Sequence, residues 1–136
     1  MSNKVRIGQV YWIVFPGGEH VQAGRRPGIV WQNNVGNENS PNIIAIPLTS
    51  KLKKMSMPTH VVLDTYTSVY GIKSMAVCEG KQSIPKSAIQ GYICDLSSED
   101  LERVAVADLL TSGGLCFVTP KKLSALIATS VRLNSV

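Results

Sequence analysis

Two guanidinium groups stand side by side at Arg25 and Arg26, within the stretch Gln22-Ala23-Gly24-Arg25-Arg26-Pro27-Gly28-Ile29-Val30-Trp31-Gln32-Asn33. A guanidinium stays charged at any ordinary pH, and its planar fork matches the oxygens of a phosphate. Pro27 fixes its own φ and biases Arg26 towards an extended backbone. Gly24 allows a sharp turn and a close approach to a ligand. The apolar run that follows anchors the pair to a core, so the stretch reads as a phosphate-binding edge on a β scaffold. Further on, Lys51, Lys53 and Lys54 follow directly on Thr49 and Ser50. Such a basic run can track a polyanion backbone or simply remain solvated. The Thr49 hydroxyl, with one donor and two acceptor sites, can orient a phosphate or make a local turn bond. His20 lies six residues before Arg26 on a glycine-rich loop. Histidine is the side chain suited to proton transfer near neutral pH, so His20 is a candidate general acid or base, or else an exposed loop residue.

These groups need a scaffold. The chain has 136 residues, 44% of them hydrophobic and 17% charged, as expected of one ordinary globular domain spanning 1–136. Val10–Phe15, rich in β-branched and aromatic residues, reads as a first strand, stopped by Pro16-Gly17-Gly18. Residues 16–25 read as a loop, Pro27–Asn33 as a second strand and Asn34–Pro41 as a turn cluster. Asn42–Leu48, His60–Leu63, Lys73–Glu79 and Gln90–Cys94 read as further strands. A basic loop over Lys51–Met57 and a polar stretch over Asp64–Gly71 lie between them. The period then changes. Ser97 with Asp100 forms a capping pattern, and Leu101, Val104, Ala105 and Leu109 follow at helical spacing up to Gly113-Gly114. Thr119-Pro120 opens a second helix with the stripe Leu123, Leu126, Ile127 and Val131. The expectation is a mainly β body over about 5–94 with C-terminal helices over about 97–112 and 119–132 packed on it.

Composition narrows the function. The net charge is +5, and residues 1–94 carry +6 while residues 95–136 carry −1. A basic body with a near-neutral tail points to a polyanion partner for the body. Cys78, Cys94 and Cys116 have no C-x-x-C spacing and apolar neighbours, so they read as small buried hydrophobes. His20 and His60 lack metal-ligand spacing, and no metal site is expected. The longest apolar run is too short to span a membrane, and the polar N-terminus leads into no signal-type segment. A cytoplasmic protein is the expectation.

Six motifs in order then carry a resemblance: Gly8-Gln9-Val10-Tyr11-Trp12, Gln22-Ala23-Gly24-Arg25-Arg26-Pro27, Gln32-Asn33-Asn34, Ser40-Pro41, Pro47-Leu48-Thr49-Ser50 and Pro58-Thr59-His60-Val61. In sequence and spacing the chain resembles the MazF/PemK family of toxin endoribonucleases over roughly residues 5–110. The resemblance implies an SH3-like barrel of the CcdB/MazF type and a homodimer. It implies metal-independent, sequence-specific cleavage of single-stranded RNA without a cofactor, and neutralisation by an antitoxin. Carried over residue by residue, Arg26 and Thr49 match the family's catalytic positions, with His20 as an added acid/base candidate. Gln22, Arg25, Ser50, Lys51, Lys53, Lys54 and Lys81 are the expected RNA contacts. The family's acidic-Gln-apolar-basic run near the fifth strand reads Glu79-Gly80-Lys81-Gln82-Ser83 here, without the Gln and with the basic residue shifted. That departure motivates the alternative of a catalytically weak RNA-binding homologue. A gyrase-poisoning toxin of related fold would not need the Arg-Pro and Pro-Leu-Thr-Ser pairing.

Overall fold

The computed structural model describes residues 4–17 and 23–136. Its centre is strand β1 (Gln9–Phe15), which pairs antiparallel with β2 (Gly24–Val30) on one side and β7 (Ile89–Asp95) on the other. Strand β3 (Asn42–Thr49) extends the sheet beyond β2. One stretch of β3 pairs with β6 (Gln82–Pro85) and its C-terminal end with β5 (Met75–Val77), which in turn pairs with β4 (His60–Val62). The path is therefore β4-β5-β3-β2-β1-β7, with β6 branching from β3.

Side chains alternate across the central strands, and both faces carry a core. The register aligns Val10 with Ile29 and Ile29 with Ile46. These belong to the larger cluster, roofed by Leu63, by Tyr66 of helix α2 (Asp64–Tyr70), and by Val104 and Ala107 of helix α3 (Ser98–Ser112). Tyr11, Ile13 and Phe15 point to the opposite cluster with Val30, Ile43, Ala45 and Ile84. The sequence pattern of β1, apolar at nearly every position, follows from this two-sided burial.

The expected barrel is an open sheet: among the described residues its end strands β4 and β7 do not pair with each other. Helices occupy the gap, α2 packing on β7 and α3 on β4. Three elements run against their sequence reading. Asn34–Asn39, expected as turn, is helix α1, capped by Asn33 Oδ1 accepting from Gly36 N at 2.9 Å. Asp64–Gly71, read from sequence as a polar stretch between strands, holds α2, which ends on Gly71 at φ +84°. Gln82–Pro85 adds the unforeseen β6. Helix α3 begins as its cap predicts, with Ser97 Oγ accepting from Asp100 N, and stops at Gly113 in the left-handed region. Ala107 rather than Leu109 completes its inward face; Leu109 is exposed. Helix α4 (Pro120–Leu133) is N-capped by Thr119 as expected, but buries none of its residues. It is not packed on the body along its length. Of the cysteines, Cys78 and Cys94 are buried and Cys116 is exposed, which corrects the reading of all three as buried.

Candidate active site

The turn into β2 explains how Arg26 is placed. Gly24 adopts φ +83°, a conformation that costs other residues strain, and the strand starts there opposite Phe15. Pairing with β3 begins only at Gly28, so Pro27, which lacks an N–H, sits where β2 still has a free side. Gly28 is needed for space: a Cβ there would lie 2.6 Å from Phe15 Cζ and 3.0 Å from Ile13 Cδ1. The Arg-Pro-Gly triplet is thus fixed by local geometry as well as by any chemistry.

Successive strand residues face opposite ways, and the two arginines separate accordingly. Arg25 turns its Nε to Gln90 Oε1 at 2.6 Å and lays its guanidinium over the Trp12 ring, 4.4 Å from the centroid. Arg26, half-buried, reaches across to β3. Its Nη1 donates to the Leu48 carbonyl at 3.4 Å, while Nε and Nη2 both donate to the Ala23 carbonyl at 3.2 and 3.0 Å. The guanidinium therefore lies beside the residue that precedes Thr49, although 22 positions separate it from Leu48 in the chain.

Arg26 and Thr49 open into a cleft of about 770 Å³, together with Ser50, Lys51, Lys53 and Lys54. Thr49 closes β3, and its Oγ1 accepts from Lys51 N at 3.1 Å. The local turn bond and the cleft position hold together, because a hydroxyl that accepts one bond keeps its hydrogen to donate. Trp12, Tyr66 and Tyr70 make an aromatic wall. Tyr66 and Tyr70 stack at 5.3 Å, and Tyr70 meets Trp12 edge-on at 5.5 Å. Burial pushes the Tyr66 hydroxyl up to about 12, with the neighbouring Tyr70 adding to the rise, so Tyr66 is no base near neutral pH.

Sequence reasoning missed a pair on the cleft's other side. His60, facing Val77 across β4 and β5, places Nε2 2.7 Å from Glu79 Oε2 and Nδ1 3.0 Å from the Lys54 carbonyl oxygen. The tight turn Cys78–Gly80 folds Glu79 back, and its Oε1 also accepts from Thr59 Oγ1 at 3.0 Å. Burial raises the Glu79 carboxyl. Hydrogen bonds from its own backbone, from His60 and from Thr59, with the His60 charge, outweigh this and leave it below the ordinary carboxylate value. The signal was present in Pro58-Thr59-His60-Val61, but the turn that brings Glu79 to it has no linear signature.

Other expected contacts fall elsewhere. Lys81 does not line the cleft; its Nζ is 2.7 Å from Asp108 Oδ1, an ion pair that ties the residue just before β6 to α3. Asp108 also accepts from Trp31 Nε1 at 3.2 Å, which gives Trp31 a packing role. Arg25 lies outside the cleft lining, on the outer side of Trp12. The positions of His20 and Gln22 lie outside the described residues. Among those described, no group of three His, Cys, Asp or Glu is arranged to hold a metal.

The structure thus brings an arginine, a threonine and a lysine loop into one cleft on an antiparallel sheet. Comparison with known proteins gives the family. Residues 6–107 match the model of the PemK-like, MazF-like toxins of type II toxin-antitoxin systems, and the chain belongs to that family. It is 32% identical over 83 residues to Endoribonuclease EndoA of Bacillus subtilis (strain 168), covering 61% of this chain and 72% of that one. MazF of Deinococcus radiodurans superposes with a TM-score of 0.71 at 23% identity, over 82% of this chain and 99% of the other. A mycobacterial endoribonuclease solved with its cognate antitoxin gives 0.66 at 18% identity, over 79% and 94%. The open sheet with C-terminal helices is thus the MazF fold.

Proposed function

We propose that this chain is a sequence-specific endoribonuclease toxin that cleaves single-stranded RNA in the Arg26–Thr49 cleft without a metal ion. The carrying observation is the Arg26 guanidinium bonded to the Leu48 carbonyl, next to Thr49 and at the head of the Lys51–Lys54 run. In the proposed reaction the 2′-oxygen of a ribose attacks the adjacent phosphorus and the bond from phosphorus to O5′ breaks. The 2′-hydroxyl proton leaves and O5′ gains one, giving a 2′,3′-cyclic phosphate and a free 5′-hydroxyl. Arg26 holds the negative charge that builds on the phosphoryl oxygens, a contribution of about 10²–10³ in rate for a preorganised donor. Thr49 donates its hydroxyl hydrogen to the same phosphate. Lys51, Lys53 and Lys54 guide the strand, and Trp12 and Tyr70 offer faces on which bases stack.

The family description and the relatives solved with antitoxins support a cognate antitoxin as partner; a homodimer is the working form that the family resemblance implies. The cytoplasm, where messenger RNA is met, is the proposed compartment. Among the described residues no helix is long and apolar enough to cross a membrane.

Incubating the protein with a long transcript in EDTA tests the reading. Discrete cuts with 5′-hydroxyl ends, lost in Arg26→Ala, support it. Retention of the transcript without cutting favours a binding homologue instead, the reading motivated by Glu79 and Lys81 being engaged within the protein.

A further inference from the structure

The lysine loop has little of its own to hold it. Ser50, Lys51, Lys53, Lys54, Met55 and Ser56 are all exposed. Lys54 sits at φ +54°, the one positive φ at a non-glycine residue among those described, a conformation that strains a lysine. What fixes that strained peptide is its carbonyl. It accepts from Met57 N at 3.1 Å within the loop and from His60 Nδ1 at 3.0 Å outside it. The His60 side chain is only 9% exposed, and its second nitrogen is held by Glu79, itself held by Thr59.

Both ring nitrogens are taken up by contacts within the protein, one to Glu79 and one to the Lys54 carbonyl, so neither is placed to meet a 2′-hydroxyl in the cleft. We propose that His60 is a positioning residue: the chain Glu79–His60–Lys54 clamps the lysine loop so that Lys51, Lys53 and Lys54 meet the RNA backbone. The charged groups that line the cleft with His60 are Glu79 from the turn after β5, the three lysines of the loop, and Arg26. This role rests on the RNA-cleavage reading and explains how a loop of exposed residues acquires one geometry.

The test separates the two nitrogens. A glutamine amide can reproduce the donor towards Glu79 but not the one towards Lys54, whereas an asparagine amide reproduces the Lys54 donor. With a short RNA substrate, His60→Gln should raise KM about tenfold with kcat within twofold of wild type. His60→Asn should bring KM back to within about threefold of wild type. The slope of log KM against log salt should flatten in His60→Gln by about 0.7 for each lysine that no longer meets a phosphate. An unchanged KM in His60→Gln overturns the proposal. So does a fall in kcat of a hundredfold at constant KM, which would put His60 at the reacting atoms. Should His60→Gln fail to fold, Glu79→Gln keeps the ring and removes its charged partner, with a KM rise of about threefold expected and no rise contradicting the clamp. Fluorescence anisotropy with a single strand lacking 2′-hydroxyls reads the same affinities without cleavage. A wild-type protein that binds this probe but cuts no RNA would sink the nuclease reading while leaving the clamp measurable.

Discussion

Helices α3 and α4 close the chain one after the other, and they obey opposite rules. The helix with the cleaner apolar stripe is the exposed one. Helix α4 carries Leu126, Ile127 and Val131 on its surface and buries nothing. Helix α3 is less clearly amphipathic yet roofs the larger core through Val104 and Ala107. Polar anchors make the difference. Asp100, 1% exposed, accepts from Thr65 N at 2.8 Å and pairs with Arg103; Ser97 N donates to Thr65 Oγ1; Asp108 takes both Lys81 and Trp31. Among the described residues, helix α4 is tied to the body by its C-terminal end, where Asn134 accepts from Asn34 and Arg6 donates to the Asn134 and Val136 carbonyls. An apolar stripe says that a face gains from burial, whereas side-chain anchors decide whether it is buried here.

The comparison is open to attack at several points. Asp100→Ala should have the largest effect, about 2–3 kcal/mol in urea unfolding, because it leaves Thr65 N without its acceptor and removes the buried end of the pair with the half-exposed Arg103. Burial raises the Asp100 carboxyl, but hydrogen bonds from Thr65 and Arg103 and the Arg103 charge overcome this and hold it low. A depressed folded-state carboxyl stabilises above its unfolded value and loses that contribution as pH falls through the folded one. The cost of Asp100→Asn, measured against wild type, should therefore shrink steadily below about pH 4. A cost independent of pH would show that the charge is not what holds α3. Asp108→Ala comes next, at about 1–2 kcal/mol, with a rise in Trp31 solvent quenching.

Removing residues 119–136 should cost about 1 kcal/mol or less, a melting shift of only a few degrees, since no side chain of α4 is buried. A loss comparable to that of Asp100→Ala would mean that α4 supports the body after all. The smallest effect concerns thiols. Burial, with the charges of Asp108 and Glu79, pushes Cys78 up to about 12, and burial raises Cys94. Alkylation of the native protein at about pH 8 should reach Cys116, beside α4, and spare the two cysteines of the core. Equal labelling of all three would show that the core is open on the same timescale.

Much of the β body was legible because β-branched runs and Gly or Pro stops coincide in β1, β3 and β7. The misread segments are those where side chains replace propensity. Helix α1 is built from Asn34, Gly36, Asn37 and Asn39, poor helix formers, and stands because Asn37 Nδ2 bonds the Gln32 carbonyl and Asn34 Oδ1 while both asparagines are buried. Helix α2 holds β-branched and aromatic residues and stands on the buried Tyr66 ring. Arg26 and Thr49, which line one cleft, stand out as candidates by motif and spacing alone. The aromatic wall and the His60–Glu79 contact do not, because both depend on a helix and a tight turn that the residues do not announce. Lys81 was misplaced for the same reason: only the docking of α3 brings Asp108 to it.

The proposed activity rests on Arg26 stabilising the charge of the reacting phosphate in the cleft it shares with Thr49. Single-turnover cleavage of a short RNA by Arg26→Ala, alongside its melting temperature, tests this most directly. The rate should fall by about 10²–10³ with melting shifted by no more than a few degrees. A rate within threefold of wild type would contradict the claim.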